Sequence, residues 1–308
     1  VSIAFLCPGQ GSQQPGMLHQ LPNHPQVQKT MNDAEDLLKK DVFSLDTEKE
    51  FQSTAAVQIS LFLWSIAMYR VFQAEGVKPD MAAGHSVGAF SAAVIAESLS
   101  FKEALELVRN RGKWMEEAHP SGYGMGVVTG LSYNQIKRLL KKQDPNKTVY
   151  LANLNADDQF TISGSEKALD DFLKSASNEG ARKAELLDVT VPSHCKLMRA
   201  VTEKMRQYLN EISFLPPKIP YAGNAKARAF FDAESIKEDL AESISKPVYW
   251  NETVHLYYER GARLFVELSP QAVLSDLVNK TFSEARAISV SNGLENCLLL
   301  MERYNWKS

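Results

Sequence analysis

Two short apolar runs, Ile3–Cys7 and Met81–Ala83, each lead into a glycine-marked turn and then into helical periodicity. This strand–turn–helix alternation limits the fold more than any other feature. A short, wholly apolar strand has to be covered on both faces, and a parallel neighbour has to be reached through a crossover helix. The first run is followed by the polar loop Pro8-Gly-Gln-Gly-Ser-Gln-Gln-Pro-Gly16, then by helical patterns near Pro25–Lys40 and Ala55–Glu75. The second follows a Pro79-Asp80 turn and ends at Gly84; helical spacing resumes at Val87 and again from about Phe101 to Ala118. A parallel sheet covered by helices is expected. With 308 residues, 44% hydrophobic and 23% charged, the chain can bury such a core and is not disordered.

The rhythm changes between residues 123 and 191. Strands are expected at Met125–Thr129, Thr148–Asn153, Phe160–Ser163 and Lys183–Val189, with helices at Asn134–Lys142 and Glu166–Asn178. The order βαββαβ is that of a ferredoxin-like unit. After Pro192 the helix–strand alternation returns, with a strand at Leu264–Leu268 and a helix near Ala272–Lys280. The expected class is therefore α/β. A large domain with a parallel sheet (residues 1–122 and 192–308) is interrupted by a small α+β subdomain (residues 123–191), and the cleft between them is the expected ligand site.

Charge and cysteine usage remove several functions. A net charge of −3 gives no global field for nucleic acid or an anionic membrane, so neither is an expected partner. The apolar stretch Ala55–Phe72 is interrupted by Gln58, Ser60, Ser65 and Arg70 and reads as a core helix rather than a membrane span. Cys7, Cys195 and Cys297 stand far apart with no CxxC and no histidine cluster, which argues against a disulfide scaffold or a structural zinc site. Ile3–Cys7 is too short, and lacks the basic leader, to be a signal peptide, although a leader already removed before Val1 stays open. A cytosolic protein is expected.

Gly84-His-Ser-Val-Gly88 fits G-x-S-x-G, with an apolar strand before it and a helical pattern after it. In that setting Ser86 would project from a tight strand-to-helix turn at a helix N-terminus, where N–H groups and the dipole favour negative charge. The alternative for the same residues is a serine helix cap flanked by glycines. A serine nucleophile needs a base. His19, His24, His119 and His255 read as surface or satisfied histidines, and His85 would be aimed elsewhere by the turn. His194 follows Val191-Pro-Ser193, where the chain leaves the small subdomain, and is the preferred base. Asp157, Asp158, Asp188 and Asp276 could orient it, as could an amide carbonyl, and no pattern separates them. Val87 is the expected first N–H donor to an oxyanion, and the loop after the first strand could supply the second. That loop lacks the Lys-Ser/Thr of a P-loop and the spacing of a dinucleotide fingerprint. Arg111 lies on a helical stretch and would pass unnoticed by pattern.

Taken together, Pro8–Gln13, Gly84–Gly88, Arg109-Asn-Arg-Gly112, Asn153-Leu-Asn155 with Gln159, Val191–Cys195 and Pro247-Val-Tyr-Trp250 resemble the malonyl-CoA:acyl carrier protein transacylase family in order and spacing, over essentially the whole chain. The resemblance implies an α/β-hydrolase-like large domain with a ferredoxin-like insert. It implies a malonyl group passed from malonyl-CoA to an acyl carrier protein through a malonyl-serine, with no cofactor and no metal. Carried over, Ser86 is the nucleophile, His194 its base, Gln10 and Val87 the oxyanion-hole backbone donors, and Arg111 the partner of the malonyl carboxylate. The main-chain carbonyl at Tyr249 orients the base in this resemblance, which would account for the missing acid. Two positions depart from the family: Tyr249 replaces the common glutamine, and Ala89 the usual glutamate. Within the family, Ser86–Phe90, His119–Met125, Val149–Ala156 and Gly261–Leu264 are most similar to the epsilon subunit of malonate decarboxylase, which would make that complex's carrier subunit the acceptor. The alternative is the transacylase of fatty-acid synthesis. A serine esterase or thioesterase is a further rival, disfavoured by Arg111.

Overall fold

The computed structural model describes residues 2–143 and 148–305. In chain order, the first part holds β1 (Ser2–Cys7), α1 (Pro25–Leu38), α2 (Thr54–Ala74), β2 (Met81–Gly84), α3 (Gly88–Ile95) and α4 (Phe101–Ala118). Next come β3 (Tyr123–Thr129), α5 (Tyr133–Gln143), β4 (Val149–Ala156), β5 (Gln159–Ser165), α6 (Glu166–Asn178) and β6 (Lys183–Leu186). The remainder holds α7 (Arg199–Leu209), β7 (Tyr221–Ala222), β8 (Ala229–Phe230), α8 (Ala233–Glu242), α9 (Trp250–Glu259), β9 (Ala262–Glu267), α10 (Val273–Thr281), β10 (Arg286–Ser289) and α11 (Leu294–Asn305).

The larger sheet has the order β10-β9-β1-β2-β7-β8 and is parallel except for the β7–β8 pair at its edge. Successive residues of a strand face opposite ways, and here the two faces feed two separate cores. Ile3, Phe5 and Cys7 pack with Leu264 and Val266 toward α2, α3 and α4. Ala4 and Leu6 pack with Phe265 toward α9 and α10. Helix α2 begins at a Ser53 cap and is long and apolar enough to cross a membrane, yet 89% of its apolar window is buried inside the protein. It is the core helix expected of Ala55–Phe72.

The second sheet, β4-β5-β3-β6, is antiparallel throughout and keeps the expected βαββαβ element order. One face carries Val128, Phe160 and Ile162 against α5 and α6. Expected and observed ends differ at β6, which stops at Leu186 rather than Val189. Leu187 N–H still donates to Met125 O at 2.9 Å, but Val189 N–H turns back onto Leu187 O at 2.8 Å, a tight turn that ends the ladder. The short strands β7 and β8 and the edge strand β10 were not expected: two of them have only two residues, too few to show a period. The sheets are joined where Val248 binds the main chain of β4 on both sides, Val248 N–H to Ala152 O at 2.8 Å and Leu154 N–H to Val248 O at 2.9 Å.

Candidate active site

Ser86 sits between β2 and α3 with φ at 55°, in the left-handed region that a non-glycine residue rarely holds. Both flanking glycines are required by contact. A Cβ on Gly84 would overlap the main chain of Gly88 and Ala89, and a Cβ on Gly88 would strike the carbonyl oxygens of Cys7 and Pro8. The turn is therefore pressed against the end of β1, and the loop carrying Gln10 lies beside the start of α3.

His194 Nδ1 lies 2.6 Å from Ser243 O, which can only accept, so the proton is on Nδ1. Nε2 is then the acceptor for the Ser86 hydroxyl, 2.8 Å away. Arg111 Nη2 donates to the same Ser86 Oγ at 3.1 Å. Ser86, His194 and Arg111, remote in the sequence, thus meet at one oxygen, in a cavity of about 170 Å³ that Gln10 and Val87 also line. Val87 is the N-cap of α3, where N–H groups have no helical partner.

Arg111 is 1% exposed, and its Nε has no hydrogen-bond partner. Burial pulls the guanidinium down to about 10, still fully charged at neutral pH. Burial, reinforced by the charges of Arg111 and His85, pushes the His194 imidazole down to about 3, so it rests in the neutral form a base needs. His85 also lines the cavity; its Nε2 lies 3.0 Å from Asn155 Oδ1, and burial lowers it to about 4.

The roof of the cavity is the open face of the small sheet. Met125 and Val127 of β3, Asn153 and Asn155 of β4, and Gln159 and Thr161 of β5 line it. Their spacing of two puts them opposite the residues packed on α5 and α6. Gln58 of α2 lines the cavity as well, with Oε1 unpartnered; by sequence it is only a polar break in an apolar helix. Among the described residues no group of three or more His, Cys, Asp or Glu side chains could hold a metal.

One expected residue is corrected. Tyr249 O is not the acceptor for His194. It accepts from Thr253 N–H and Thr253 Oγ1, both at 3.0 Å, because Tyr249 caps α9. Its side chain lies with Tyr133 and Phe160 in a separate pocket. Tyr249 follows the Val248 bridge to β4, and its own N–H donates to Asn224 O at 3.0 Å. Ser243, just past the end of α8, offers a carbonyl instead. Of the expected aspartates, Asp157 accepts from Asn251 and Asp158 pairs with Arg182 and Lys280. His19 packs on Phe43, His24 caps α1, His119 binds Leu197 O and His255 packs on Phe282, as satisfied histidines do. Asn224 and Asp239, which hold the Ser86 turn, carried no sequence signal.

The acyl transferase domain family matches residues 4–297. A malonyl CoA-acyl carrier protein transacylase of Bacillus subtilis is 36% identical, over 94% of this chain and 93% of its own length. The chain belongs to this acyl transferase family. Among solved structures, the malonyl CoA-acyl carrier protein transacylase of Coxiella burnetii superposes with a TM-score of 0.94 at 34% identity, covering 98% of this chain and 97% of that one. A malonyl-transacylase solved in complex with a type II PKS acyl-carrier protein gives 0.90 at 35% identity, covering 94% and 96%.

Proposed function

We propose that the chain moves a malonyl group from malonyl-CoA to the thiol of an acyl carrier protein through a malonyl-Ser86 ester. The observation that carries this reading is the buried Arg111, unpaired at Nε, beside Ser86 in a cavity with no Asp or Glu among its lining residues. A buried cation without a partner is costly, and a ligand carboxylate would supply a charge-assisted pair. That selects an acyl group with a free carboxylate.

In the first half-reaction His194 Nε2 takes the Ser86 proton while Oγ attacks the thioester carbon. The main-chain N–H groups of Val87 and Gln10 receive the oxyanion, and CoA leaves with the proton from His194. In the second, the carrier thiol gives its proton to His194 and attacks the ester; the ester C–O bond breaks and Ser86 Oγ takes that proton back from His194. Ser243 O, in place of Tyr249 O, keeps the base in its tautomer through both. The position of Ser86 between a sheet strand and a helix supports an α/β-hydrolase-like description of residues 1–122 and 192–308. The separate core under α5 and α6 supports treating residues 123–191 as a ferredoxin-like subdomain.

For the acceptor, the relatives named above favour the ordinary malonyl-CoA:acyl carrier protein transacylase over the malonate decarboxylase epsilon subunit, whose likeness rests on short sequence stretches alone. Purified enzyme given malonyl-CoA should form an adduct on Ser86, visible by mass spectrometry and long-lived in water. It should then pass malonyl faster to a fatty-acid-type carrier than to a malonate decarboxylase carrier. The opposite carrier preference would restore the decarboxylase reading, and rapid hydrolysis of the adduct would favour an esterase.

A further inference from the structure

Nucleophile and base both hold left-handed backbones, Ser86 at φ 55° and His194 at φ 61°. Such conformations persist only where the surroundings impose them. Both sets of surroundings lead to α8. Ser86 N–H donates to Asn224 Oδ1 at 2.9 Å, and Asn224 Nδ2 donates to Gly84 O at 2.9 Å, so one side-chain amide spans the turn. Asn224 is in turn held by Asp239 of α8: Asn224 N–H donates to Oδ2 at 3.0 Å, Ala225 N–H to Oδ1 at 3.1 Å, and the Tyr221 hydroxyl to Oδ2 at 3.0 Å. One turn further along, Ser243 O accepts from His194 Nδ1–H at 2.6 Å, and Ile244 O accepts the His194 main-chain N–H at 3.0 Å.

We infer that Asn224, held by Asp239, is a positioning residue, and that α8 is the common strut that sets the distance between Ser86 and His194. Two groups 108 residues apart must meet at 2.8 Å. Fastening both to neighbouring turns of one helix ties their separation to a rigid element rather than to two independent loops. Asn224 and Asp239 are buried and do not line the cavity, so they act through Ser86 rather than on substrate. Ser243 O, at the C-terminal end of α8, accepts from the imidazole and favours the imidazolium that forms when it takes the serine proton.

The inference rests on the acyl-transfer reading of Ser86, and the test separates the two. Wild type, Asn224→Ala, Asn224→Asp and Asp239→Asn are mixed with malonyl-CoA, and both the rate and the final stoichiometry of Ser86 labelling are read by mass spectrometry. Asn224→Ala should reach the wild-type stoichiometry, on the order of 10–100-fold more slowly, with an unchanged KM for malonyl-CoA. Asn224→Asp keeps the acceptor for Ser86 N–H and should fall between. If Asn224→Ala does not fold, Asp239→Asn is read in its place and should likewise label slowly but fully. Labelling at the wild-type rate overturns the inference, whether complete or substoichiometric; the substoichiometric case would mean that Asn224 serves folding alone. A wild type that forms no adduct overturns the acyl-transfer reading instead.

Discussion

Arg111 is the residue whose environment most needs a ligand. Its Nη2 reaches Ser86 Oγ, while its Nε is buried and unsatisfied. Replacing it by alanine should cost malonyl transfer about 2–5 kcal/mol, because a substrate carboxylate would enter a partly dry site without its cation. Acetyl transfer should change far less, and an unaltered malonyl-to-acetyl ratio in a side-by-side assay would remove the assigned role. The histidines make a second prediction. His194 is held down to about 3 and His85 to about 4, mainly by burial, against an ordinary value of 6.5. The folded state therefore binds fewer protons than the unfolded one at mildly acidic pH, and stability is lost as pH falls below about 6.5. The urea midpoint should drop between about pH 7 and pH 5, and His85→Gln should reduce that drop. Ser86 labelling per folded molecule should stay level over the same range, whereas an apparent pKa near 6.5 would mean a solvated base.

At the scale of elements, α4 delivers Arg111 by packing against α2. The residue after it, Gly112, lies so close to Ala55 that a Cβ would overlap the Ala55 main chain. Gly112→Ala should push the helices apart, cost about 1–3 kcal/mol, and lower malonyl transfer with it, because the guanidinium moves too. A melting curve with a transfer assay on the same sample checks both. Glu267 holds the start of α10, whose residues line another wall of the cavity. Its Oε2 accepts from Ser275 N–H at 2.7 Å at the start of α10, whose Val273 and Leu274 line the cavity, but its Oε1 has no partner. Burial raises its carboxyl to about 7. A raised carboxyl favours the fold below its unfolded value and loses that benefit as pH climbs through 7. Glu267→Gln should accordingly raise the melting temperature more at about pH 8 than at about pH 5; an equal shift at both would show that the carboxyl does not change charge there.

Over the whole molecule, the site exists because two sheets with different connectivity face each other across the Ser86 turn. The parallel sheet presents the ends of β1 and β2, and the antiparallel sheet contributes a roof of alternate residues. The parallel sheet packs on α2, whose centre is fully buried. Leu63→Ala should cost about 2–5 kcal/mol in denaturant unfolding, since a close-packed core cannot refill the space.

Much of this could be read along the chain, for identifiable reasons. Runs such as Ile3–Cys7 and the glycines around Ser86 state local requirements, apolar cover and room for backbone, that hold wherever the chain goes. So β1, β2 and β9, the long core helix, the element order of residues 123–186 and the strand–serine–helix turn are all legible in the sequence. Which carbonyl meets His194 was not a local matter. Tyr249 and Ser243 are both helix-end residues, and their tertiary and capping bonds decide which carbonyl faces the imidazole. Asn224, Asp239 and Gln58 left no trace in periodicity because what each does is set by the partners that tertiary packing brings to it. Sequence by itself determined the elements and the candidate chemistry. The tertiary structure alone decided that Ser243 O meets His194 and that Asn224 holds Ser86, because hydrogen bonds across 49 and 138 residues depend on packing and not on spacing.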